Sequence, residues 1–411
     1  MVEIMKNKEL KPKLRFKDFT DDWEQNKLNE LYECSQGQQI EIEKQFYEKT
    51  EDMVKFIRII DLTQNNEPPR YIKLLGNKGL VTEDDLFMVR YGAIGVIGYG
   101  YNGVIANNLF KLINKKNENI LNKFIYHELN SEKIKNEIIA LNTSTTMPAI
   151  SFEALNKIII SYPKDIEEQN KIAEFLFKID NLINLNKHKL EKLINIKKSL
   201  LEKMFPRKEE KIPKIRFRGF NDTWKKYKLN NLSDIITKGT TPIDKSGNGN
   251  INFVKIENID SSSGEIEITS KISEKEHNGY LKRSQLKEND LLFSIAGTLG
   301  RIAIVKSDIL PANTNQALAI IRLKNNNMKY IKTYLKGKAI SDFIKKNPTI
   351  GAQPNLSLEQ VSNFDIFMPS EKEQKQIENF FEQIDELTIL YQRKLEKLKT
   401  IKKSLVREIF A

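Results

Sequence analysis

The sequence is poor in the residues that build redox and metal sites. Cys34 is the single cysteine, so no disulfide can form within the chain and nothing indicates an oxidising compartment. Three histidines, His127, His188 and His277, are widely separated, whereas a zinc site needs three or four clustered nitrogen or sulfur ligands. We therefore expect no metal centre and interpret Cys34 as a small buried hydrophobe.

Long apolar runs are also missing. No stretch approaches the roughly 18–20 apolar residues that are needed to span a bilayer. The first residues, MVEIMKNKELKPKLRF, are charged within three positions and lack the apolar segment of a signal peptide. We expect a cytoplasmic protein with no membrane partner.

Sequence motifs for catalysis are weak or missing. No GxxxxGK[ST] string occurs, so there is no P-loop. The string Gly98-Tyr-Gly100-Tyr-Asn-Gly103 matches GxGxxG, but the surrounding residues are typical of strands, and we interpret it as hairpin turns rather than a dinucleotide site. The string Glu67-Pro-Pro-Arg70 ends in arginine, where an adenine methyltransferase motif has an aromatic residue. The residues thus favour a chain with no catalytic centre. A stand-alone DNA methyltransferase or nuclease and a coiled-coil scaffold without a DNA role remain alternatives.

Positive charge is in excess. Lys and Arg number 67 against 55 Asp and Glu, which gives a net charge of +12 at pH 7. Such an excess suits a polyanionic partner, because cations that neutralise phosphates release condensed counterions. Nucleic acid is the partner that this charge favours, although a lysine-rich composition alone can produce it.

The chain repeats itself with a period near 200 residues, which indicates a duplicated domain. The block Pro12-Lys-Leu-Arg-Phe-Lys-Asp-Phe19, followed by Trp23, returns as Pro213-Lys-Ile-Arg-Phe-Arg-Gly-Phe220, followed by Trp224. Three further blocks recur in the same order. They are Phe56–Ile59 with Phe253–Ile256, Asp85–Gly95 with Asp290–Gly300, and Pro163–Phe205 with Pro369–Phe410. The ends of the repeat match closely, while its central parts share only a scattered framework.

The last repeated block predicts a long helix in each copy. Residues 166–205 contain neither glycine nor proline, and apolar residues recur at spacings of three and four, as at Ile172, Phe175 and Ile179. The second copy has the same pattern. Helices of some 40 residues, roughly 60 Å long at 1.5 Å per residue, are longer than a 150-residue domain needs. We therefore expect the two helices to pair with each other in an antiparallel coiled coil.

The segments before the helices predict mixed α/β structure. The predicted strands are Lys55–Ile60, Leu86–Tyr91, Asn252–Ile256, Leu291–Ile295 and Ala317–Ile321. The fold class is therefore α+β: two similar α/β recognition domains, joined by two long helices and related by an internal pseudo-two-fold repeat. The predicted segments are a first domain (1–165), a central helix (166–205), a linker (206–212), a second domain (213–370) and a distal helix (371–411).

The ordered duplication resembles the specificity subunit of type I restriction–modification systems, the HsdS family. The resemblance covers essentially the whole chain. It is carried by the paired openings and helices and, in the second half, by the loops Gly239-Thr-Thr-Pro242, Gly297-Thr-Leu-Gly300, Asn313-Thr-Asn-Gln316 and Gly351–Ser357. The first half departs from these loops. It has Ser35-Gln-Gly37 and Asn107-Asn108 instead.

The resemblance implies a non-catalytic subunit that reads double-stranded DNA. Each target-recognition domain would read one half of a split target, and the coiled coil would fix the gap between the halves. Two modification (methyltransferase) subunits and the restriction subunits would be its protein partners. S-adenosylmethionine, ATP and Mg would be bound by those partners, and this chain would bind no cofactor.

Candidate DNA contacts follow from residue chemistry. Lys and Arg suit phosphates, and Arg, Lys, Asn, Gln, Ser and Thr suit base edges in the major groove. The candidates in the first domain are Arg58, Arg70, Lys73 and Arg90. Those in the second domain are Thr240, Thr241, Lys245, Lys255, Arg301, Asn315 and Gln316.

Overall fold

The computed structural model describes ten stretches of the chain. They are residues 11–64, 66–74, 76–116, 119–142, 148–207, 210–244, 246–261, 263–324, 328–346 and 354–410. Lys245 and residues 351–353 of the predicted second-domain loop lie outside them. The chain divides into two compact units, of which unit 1 comprises residues 1–185 and 395–411 and unit 2 comprises residues 186–394.

Unit 1 holds the first mixed α/β domain. In chain order its elements are β1 (Glu24–Lys27), α1 (Leu28–Leu31), β2 (Tyr32–Gln36), β3 (Met53–Ile57), α2 (Ile59–Thr63), β4 (Arg70–Lys73), β5 (Leu80–Val81), β6 (Leu86–Val89), β7 (Ile97–Gly98), β8 (Gly103–Ile105), β9 (Leu109–Asn114), α3 (Asn122–Leu129), α4 (Glu132–Ala140), α5 (Phe152–Leu155) and β10 (Ile159–Tyr162). The long helix α6 (Ile166–Lys203) begins in this unit.

The strands of unit 1 form a small antiparallel pair and two larger sheets. β1 pairs with β10, one sheet has the order β2-β9-β6-β7, and the other has the order β4-β3-β8-β5. The pair β3 and β8 is parallel, with Ile57 opposite Ile105. Because parallel neighbours end at the same edge of a sheet, the residues that follow β3 and β8 lie close together.

Unit 2 repeats this plan. Its elements are β11 (Lys225–Lys228), α7 (Leu229–Leu232), β12 (Ser233–Lys238), β13 (Ile251–Val254), β14 (Lys271–Ile272), α8 (Glu274–Asn278), β15 (Leu291–Ser294), β16 (Ile302–Ile304), β17 (Ala312–Thr314), β18 (Leu318–Leu323), α9 (Met328–Leu335), α10 (Lys338–Lys346), α11 (Leu358–Ser362) and β19 (Asp365–Met368). The long helix α12 (Glu371–Ile409) begins in this unit and ends in unit 1. β11 pairs with β19, and the larger sheets have the orders β12-β18-β15-β16 and β14-β13-β17. The pair β13 and β17 is parallel, like β3 and β8.

Most predicted strands match strands of the structure, but the end of one predicted strand and the interpretation of one turn were wrong. The predicted strand Lys55–Ile60 ends at Ile57, and α2 begins at Ile59, because the Asp61 carboxylate accepts a 2.8 Å bond from the Arg58 backbone N–H. The segment 98–103 is not a hairpin turn. It links β7 of one sheet to β8 of the other, and Gly100 there has a φ of +80°.

A buried ion pair ties the opening of each domain to its own long helix. Arg15 donates to both carboxylate oxygens of Glu168 at 2.7 and 2.8 Å, and Trp23 donates to the same carboxylate at 3.3 Å. In unit 2, Arg216 and Glu373 repeat the pair with the same two distances. The glutamate side chains are only 1% exposed, and the bidentate geometry compensates for their desolvation.

The last turn of each long helix enters the domain that the other helix follows. In unit 1, the Phe410 ring packs against Trp23 and Phe124, at centroid distances of 6.3 and 5.5 Å. In unit 2, Phe205 packs in the same way against Trp224, at 6.2 Å. Backbone bonds accompany the packing, since Lys13 N–H donates to the Glu408 carbonyl at 3.0 Å. The hydrophobic core of unit 1 is therefore built from two separate parts of the chain, whereas that of unit 2 includes the end of the long helix that precedes it.

We predict that Phe410→Ala destabilises unit 1 and Phe205→Ala destabilises unit 2, each by about 3–5 kcal/mol, because a buried ring is replaced by a cavity. Hydrogen exchange followed by mass spectrometry should lose protection in the corresponding unit. Ile139→Ala and Leu390→Ala remove side chains that are both 60% exposed and serve as controls. Equal loss of protection in both units from either phenylalanine variant would contradict this assignment.

Another buried carboxylate, that of Glu128, has no ion pair among the described residues. Glu128 on α3 accepts a 2.6 Å bond from Ser161 N–H at one oxygen, while its Oε2 has no hydrogen-bond partner among the described residues. Burial raises the pKa of Glu128 from 4.5 to about 8. The protonated form is therefore favoured in the folded state.

This pKa shift predicts a pH-dependent stability. The pKa of Glu128 is higher in the folded than in the unfolded chain. Its contribution to the free energy of unfolding is therefore fully present below about pH 4.5 and is lost as pH rises through about 8. Glu128→Gln, which keeps the acceptor for Ser161, should raise the Tm above the wild-type value at pH 9 and change it little at pH 5. Glu153→Gln, at a side chain that is 88% exposed, is the control. A wild-type advantage that grows with pH would refute the prediction.

Candidate nucleic-acid interface

In unit 2, several candidate residues meet at one edge of the sheet that contains β13 and β17. Val254 and Thr314 lie opposite each other at the ends of these parallel strands, so Lys255 and Asn315 follow at the same edge. The loop after β12 joins them, because Thr240 N–H donates to the Thr314 carbonyl at 2.9 Å. We call the residues that follow β12, β13 and β17 the loop edge of unit 2.

Glycine is required where the β12 loop crosses this edge. A Cβ atom on Gly239 would lie 2.1 Å from the Thr314 carbonyl oxygen and 2.2 Å from that of Asn315. Such distances are far inside van der Waals contact, so any side chain here would displace the loop. The close approach places Thr240 and Thr241 beside the β17 loop.

Two hydrogen bonds between side chains order the polar groups of the loop edge. The Thr241 hydroxyl donates to the Gln316 amide oxygen. Thr240 is buried, and its hydroxyl accepts a 3.1 Å bond from Arg283 Nε. Asn315 accepts from the Ala317 backbone at 3.1 Å and thereby shapes its own loop. Polar donors and acceptors are thus held in fixed positions at an exposed edge.

Two basic candidates of unit 2 differ in what they contact. Arg301 uses Nη1 to donate to the carbonyls of Ile256 and Ile259, at 3.1 and 2.9 Å, and so holds the turn after β13. Lys255 is half-buried, and its backbone N–H donates to the Asn258 side chain at 2.8 Å. Arg301 therefore has a structural contact that residue type alone did not reveal, and DNA contact by either residue stays a prediction.

Unit 1 has the same edge with different side chains. Gly37 N–H donates to the Leu109 carbonyl at 3.0 Å, and Gln38 N–H donates to the Ile105 carbonyl at 2.9 Å. A Cβ atom on Gly37 would lie 2.3 Å from the Ala106 carbonyl oxygen, so Gly37 is the counterpart of Gly239. We call the residues that follow β2, β3 and β8 the loop edge of unit 1.

A polar pair in this edge was not predicted from the sequence. Asn107 Nδ2 donates to the Gln39 Oε1 at 3.4 Å, in the place that Thr241 and Gln316 occupy in unit 2. The repeat could have revealed it, but Leu31 and Leu232 are 201 residues apart, whereas Gly37 and Gly239 are 202 residues apart. A bulge between Ser233 and Ile235 in β12 adds the extra residue.

Only some of the candidate DNA-contact residues of the first domain lie near the loop edge of unit 1. Arg58 and Arg90 lie near the loop edge, Arg58 directly after β3 and Arg90 through a 2.9 Å backbone bond to Asn108. Arg70 and Lys73 lie at the two ends of β4, where they pair with Phe56 and Met53. Lys73 is therefore separated from the edge by the length of the strand.

Most of these side chains already have partners. Arg58 contacts the carboxylates of Asp61 and Glu67 at 3.0 and 3.1 Å, and the hydrogen bond to Asp61 raises the pKa of Arg58. Arg70 stacks on the Tyr47 ring, with its guanidinium carbon 3.7 Å from the ring centroid. Arg90 Nε donates to the Ile150 carbonyl at 3.3 Å. Contact of these residues with DNA is untested and stays a prediction.

The described residues contain no group of three or more His, Cys, Asp or Glu side chains that could hold a metal ion. Cys34 is half-buried beside the core, and burial raises the pKa of its thiol to about 11, so the thiolate nucleophile is disfavoured. Among the helices of the described stretches, none combines the length and the hydropathy that crossing a bilayer requires.

Two copies of one scaffold, each presenting ordered polar loops at a sheet edge, define a duplicated recognition module. A family model described as the type I restriction modification DNA specificity domain matches residues 20–195 and 221–400. The chain therefore belongs to this family, and the resemblance inferred from the repeated blocks is confirmed.

Similar proteins agree with the family. The chain is 24% identical to the type I restriction enzyme MjaVIII specificity subunit of Methanocaldococcus jannaschii, over 82% of this chain and 80% of that protein. It is 22% identical to the type I restriction enzyme EcoBI specificity subunit of Escherichia coli, over 89% and 81%. These names and the family confirm the expectation of a recognition subunit rather than an enzyme.

Solved structures share the fold. A crystal structure of the type I restriction–modification system S subunit from M. genitalium matches with a TM-score of 0.60 and 17% identity, over 98% of this chain and 99% of that chain. A second solved structure is described as showing the structural basis underlying complex assembly and conformational transition of the type I R-M system. It matches with a TM-score of 0.54 and 15% identity, over 94% of this chain and 97% of that chain. The expectation of two domains with an internal repeat is confirmed.

We predict that Gly239→Ala costs about 1–3 kcal/mol of stability, because the new methyl group overpacks the edge. It should also weaken DNA binding by the full chain, since the loop that carries Thr241 must move. Thermal unfolding and fluorescence anisotropy with duplex DNA would measure the two effects. Asn230→Ala, at an exposed position of α7, is the control. Unchanged stability and affinity in Gly239→Ala would contradict the close approach.

Proposed function

We propose that this chain is the subunit that selects the DNA site for a type I restriction–modification complex. Each recognition domain reads one half of a bipartite double-stranded target, and the long helices set the spacing between the halves. The chain recruits two modification subunits and the restriction subunits.

One observation carries the proposal: the two loop edges have the same frame and different side chains. Gly37 and Gly239 make the same close approach, yet the residues beside them form a Gln39–Asn107 pair in one unit and a Thr241–Gln316 pair in the other. Amide and hydroxyl groups in fixed positions suit hydrogen bonding to base edges. A shared backbone frame that carries different polar side chains in the two units fits two half-sites of different sequence.

The charge of the chain supports a DNA partner. A net charge of +12 favours association with phosphates, and lysine or arginine on phosphates supplies affinity without sequence information. The polar loop-edge pairs would add the sequence information. Phosphate contacts would therefore supply affinity, and contacts with base edges would supply specificity.

The contacts of α6 and α12 support an antiparallel coiled coil. Asp180 contacts Lys402 in unit 1, and Lys197 contacts Asp385 in unit 2. The residue number rises along α6 as it falls along α12, which is the order that antiparallel helices require. A paired helix of this length is a stiff spacer, rising about 1.5 Å per residue.

Exposed apolar side chains on both helices support protein partners. The exposed apolar residues are Leu185, Ile194 and Ile196 on α6 and Leu387, Leu390 and Ile401 on α12, each between 41% and 60% exposed. Leu387 and Leu390 lie three residues apart and so share a face of α12, and contiguous exposed apolar surface is typical of interaction sites. We assign S-adenosylmethionine, ATP and Mg to the modification and restriction subunits, so that this chain acts through recognition alone.

We predict that the chain, produced with its modification subunits in a host without adenine methylation, directs methylation to one bipartite motif. Inserting seven residues in each helix, after Leu185 and after Lys394, preserves the seam and adds about 10 Å. At 3.4 Å per base pair, this should lengthen the gap by about three base pairs and leave both half-sites unchanged. Sequencing that detects methylated adenine would measure the two half-sites and the length of the gap between them.

A seven-residue insertion in the 206–212 linker is the matched control and should leave the gap unchanged. An unaltered gap in the double helix insertion would overturn the spacer role. A continuous rather than split motif in the wild type would overturn the assignment of one half-site to each domain.

A further inference from the structure

We propose that Lys78 and Arg283 are equivalent base-reading residues, one in each recognition domain, and that Arg283 reads a guanine. Neither belongs to the basic candidates that the sequence suggested. Lys78 lies just before β5, and Arg283 lies in the short 3-10 turn Lys282–Ser284. This inference rests on the proposed function, because it requires that each domain read one half-site.

Strand register makes the two residues equivalent. In unit 1, Leu80 lies opposite Val104, and Lys78 is two residues before Leu80. In unit 2, Gln285 lies opposite Asn313, and two residues before it is Arg283. Val104 and Asn313 correspond, because each precedes the residue whose carbonyl accepts from the loop after Gly37 or Gly239.

Both residues contact the same part of the loop edge. The Gln38 side-chain amide donates to the Lys78 carbonyl, and Arg283 Nε donates to the Thr240 hydroxyl at 3.1 Å. Gln38 and Thr240 are the residues that follow the equivalent glycines. The two domains thus place a basic side chain at one position of the frame, in surroundings whose sequences differ.

The charged ends of both side chains remain available. Lys78 and Arg283 are exposed, and among the described residues neither the Lys78 ammonium nor Nη1 and Nη2 of Arg283 has a hydrogen bond or an ion pair. Arg58 and Arg301, by contrast, are held by carboxylates or carbonyls.

The geometry of Arg283 suits one base. Thr240 fixes the guanidinium through Nε, and Thr240 is itself buried and bonded to the Thr314 carbonyl. The opposite edge, with Nη1 and Nη2, presents two parallel donors, which match the O6 and N7 acceptors of guanine in the major groove. Lysine offers a point charge instead, so Lys78 would contact a guanine or neighbouring acceptors with less geometric demand.

The test compares methylation motifs of single variants in the full complex. Arg283→Ala should lose the preference for guanine at one position of one half-site, by roughly tenfold or more, and Lys78→Ala should relax one position of the other half-site. Arg283→Lys keeps the charge but loses the fork, so it should recover binding to DNA without recovering the full preference. Melting curves equal to the wild type establish that each variant is folded.

The chain supplies a matched pair of control positions. Lys17 and Arg218 are equivalent, exposed and of the same two residue types, but lie in the opening segments away from the loop edges. Lys17→Ala and Arg218→Ala should leave both half-sites unchanged.

Three results would overturn the inference while the proposed function stood. They are an unchanged motif in Arg283→Ala, a uniform loss of methylation without a change of motif, and relaxation of the same half-site by both variants. A wild-type complex that methylates no bipartite motif would instead refute the proposed function itself.

Discussion

The completion of each hydrophobic core by the end of a long helix is the constraint on which the structure depends. Phe410 lies against Trp23, and Phe205 lies against Trp224. The buried Arg15–Glu168 and Arg216–Glu373 pairs then fix each opening segment to the start of the helix that follows it. Neither domain can therefore complete its core without the end of a long helix, and a long helix cannot lose its last turn without cost to a domain.

This construction separates the residues that support the fold from the polar residues at the loop edges. The parts that the two copies share are the ones that hold the scaffold: the ion pairs, the helix ends and the glycines at which two loops touch. The parts that differ lie at the loop edges, where Gln39 and Asn107 stand in place of Thr241 and Gln316. Because the support is buried and the edges are exposed, loop residues can change without disturbing the core.

The sequence predicted the duplication and the long helices because both leave strong linear patterns. Helical spacing of apolar residues marks α6 and α12, and blocks in fixed order mark the two copies. The sequence could not predict which arginine side chains already have hydrogen-bond or ion-pair partners within the protein. Arg301 binds backbone carbonyls and Arg58 binds carboxylates, and such partners come from contacts that residue type does not encode. The Gln39–Asn107 pair was missed because the bulge in β12 shifts the alignment by one residue.

The division of the chain also bears on the order in which the protein is made. Unit 2 is a contiguous stretch, residues 186–394, whereas unit 1 needs residues 395–410 in addition to its first half. Domains commonly fold as they leave the ribosome, the earlier one first. Here the second half can complete its core while the first still waits for the final helical turns to be synthesised. The nascent first domain therefore exposes the pocket for Phe410 until residues 395–410 have been synthesised, so chaperones and proteases can reach this domain for longer than the second one.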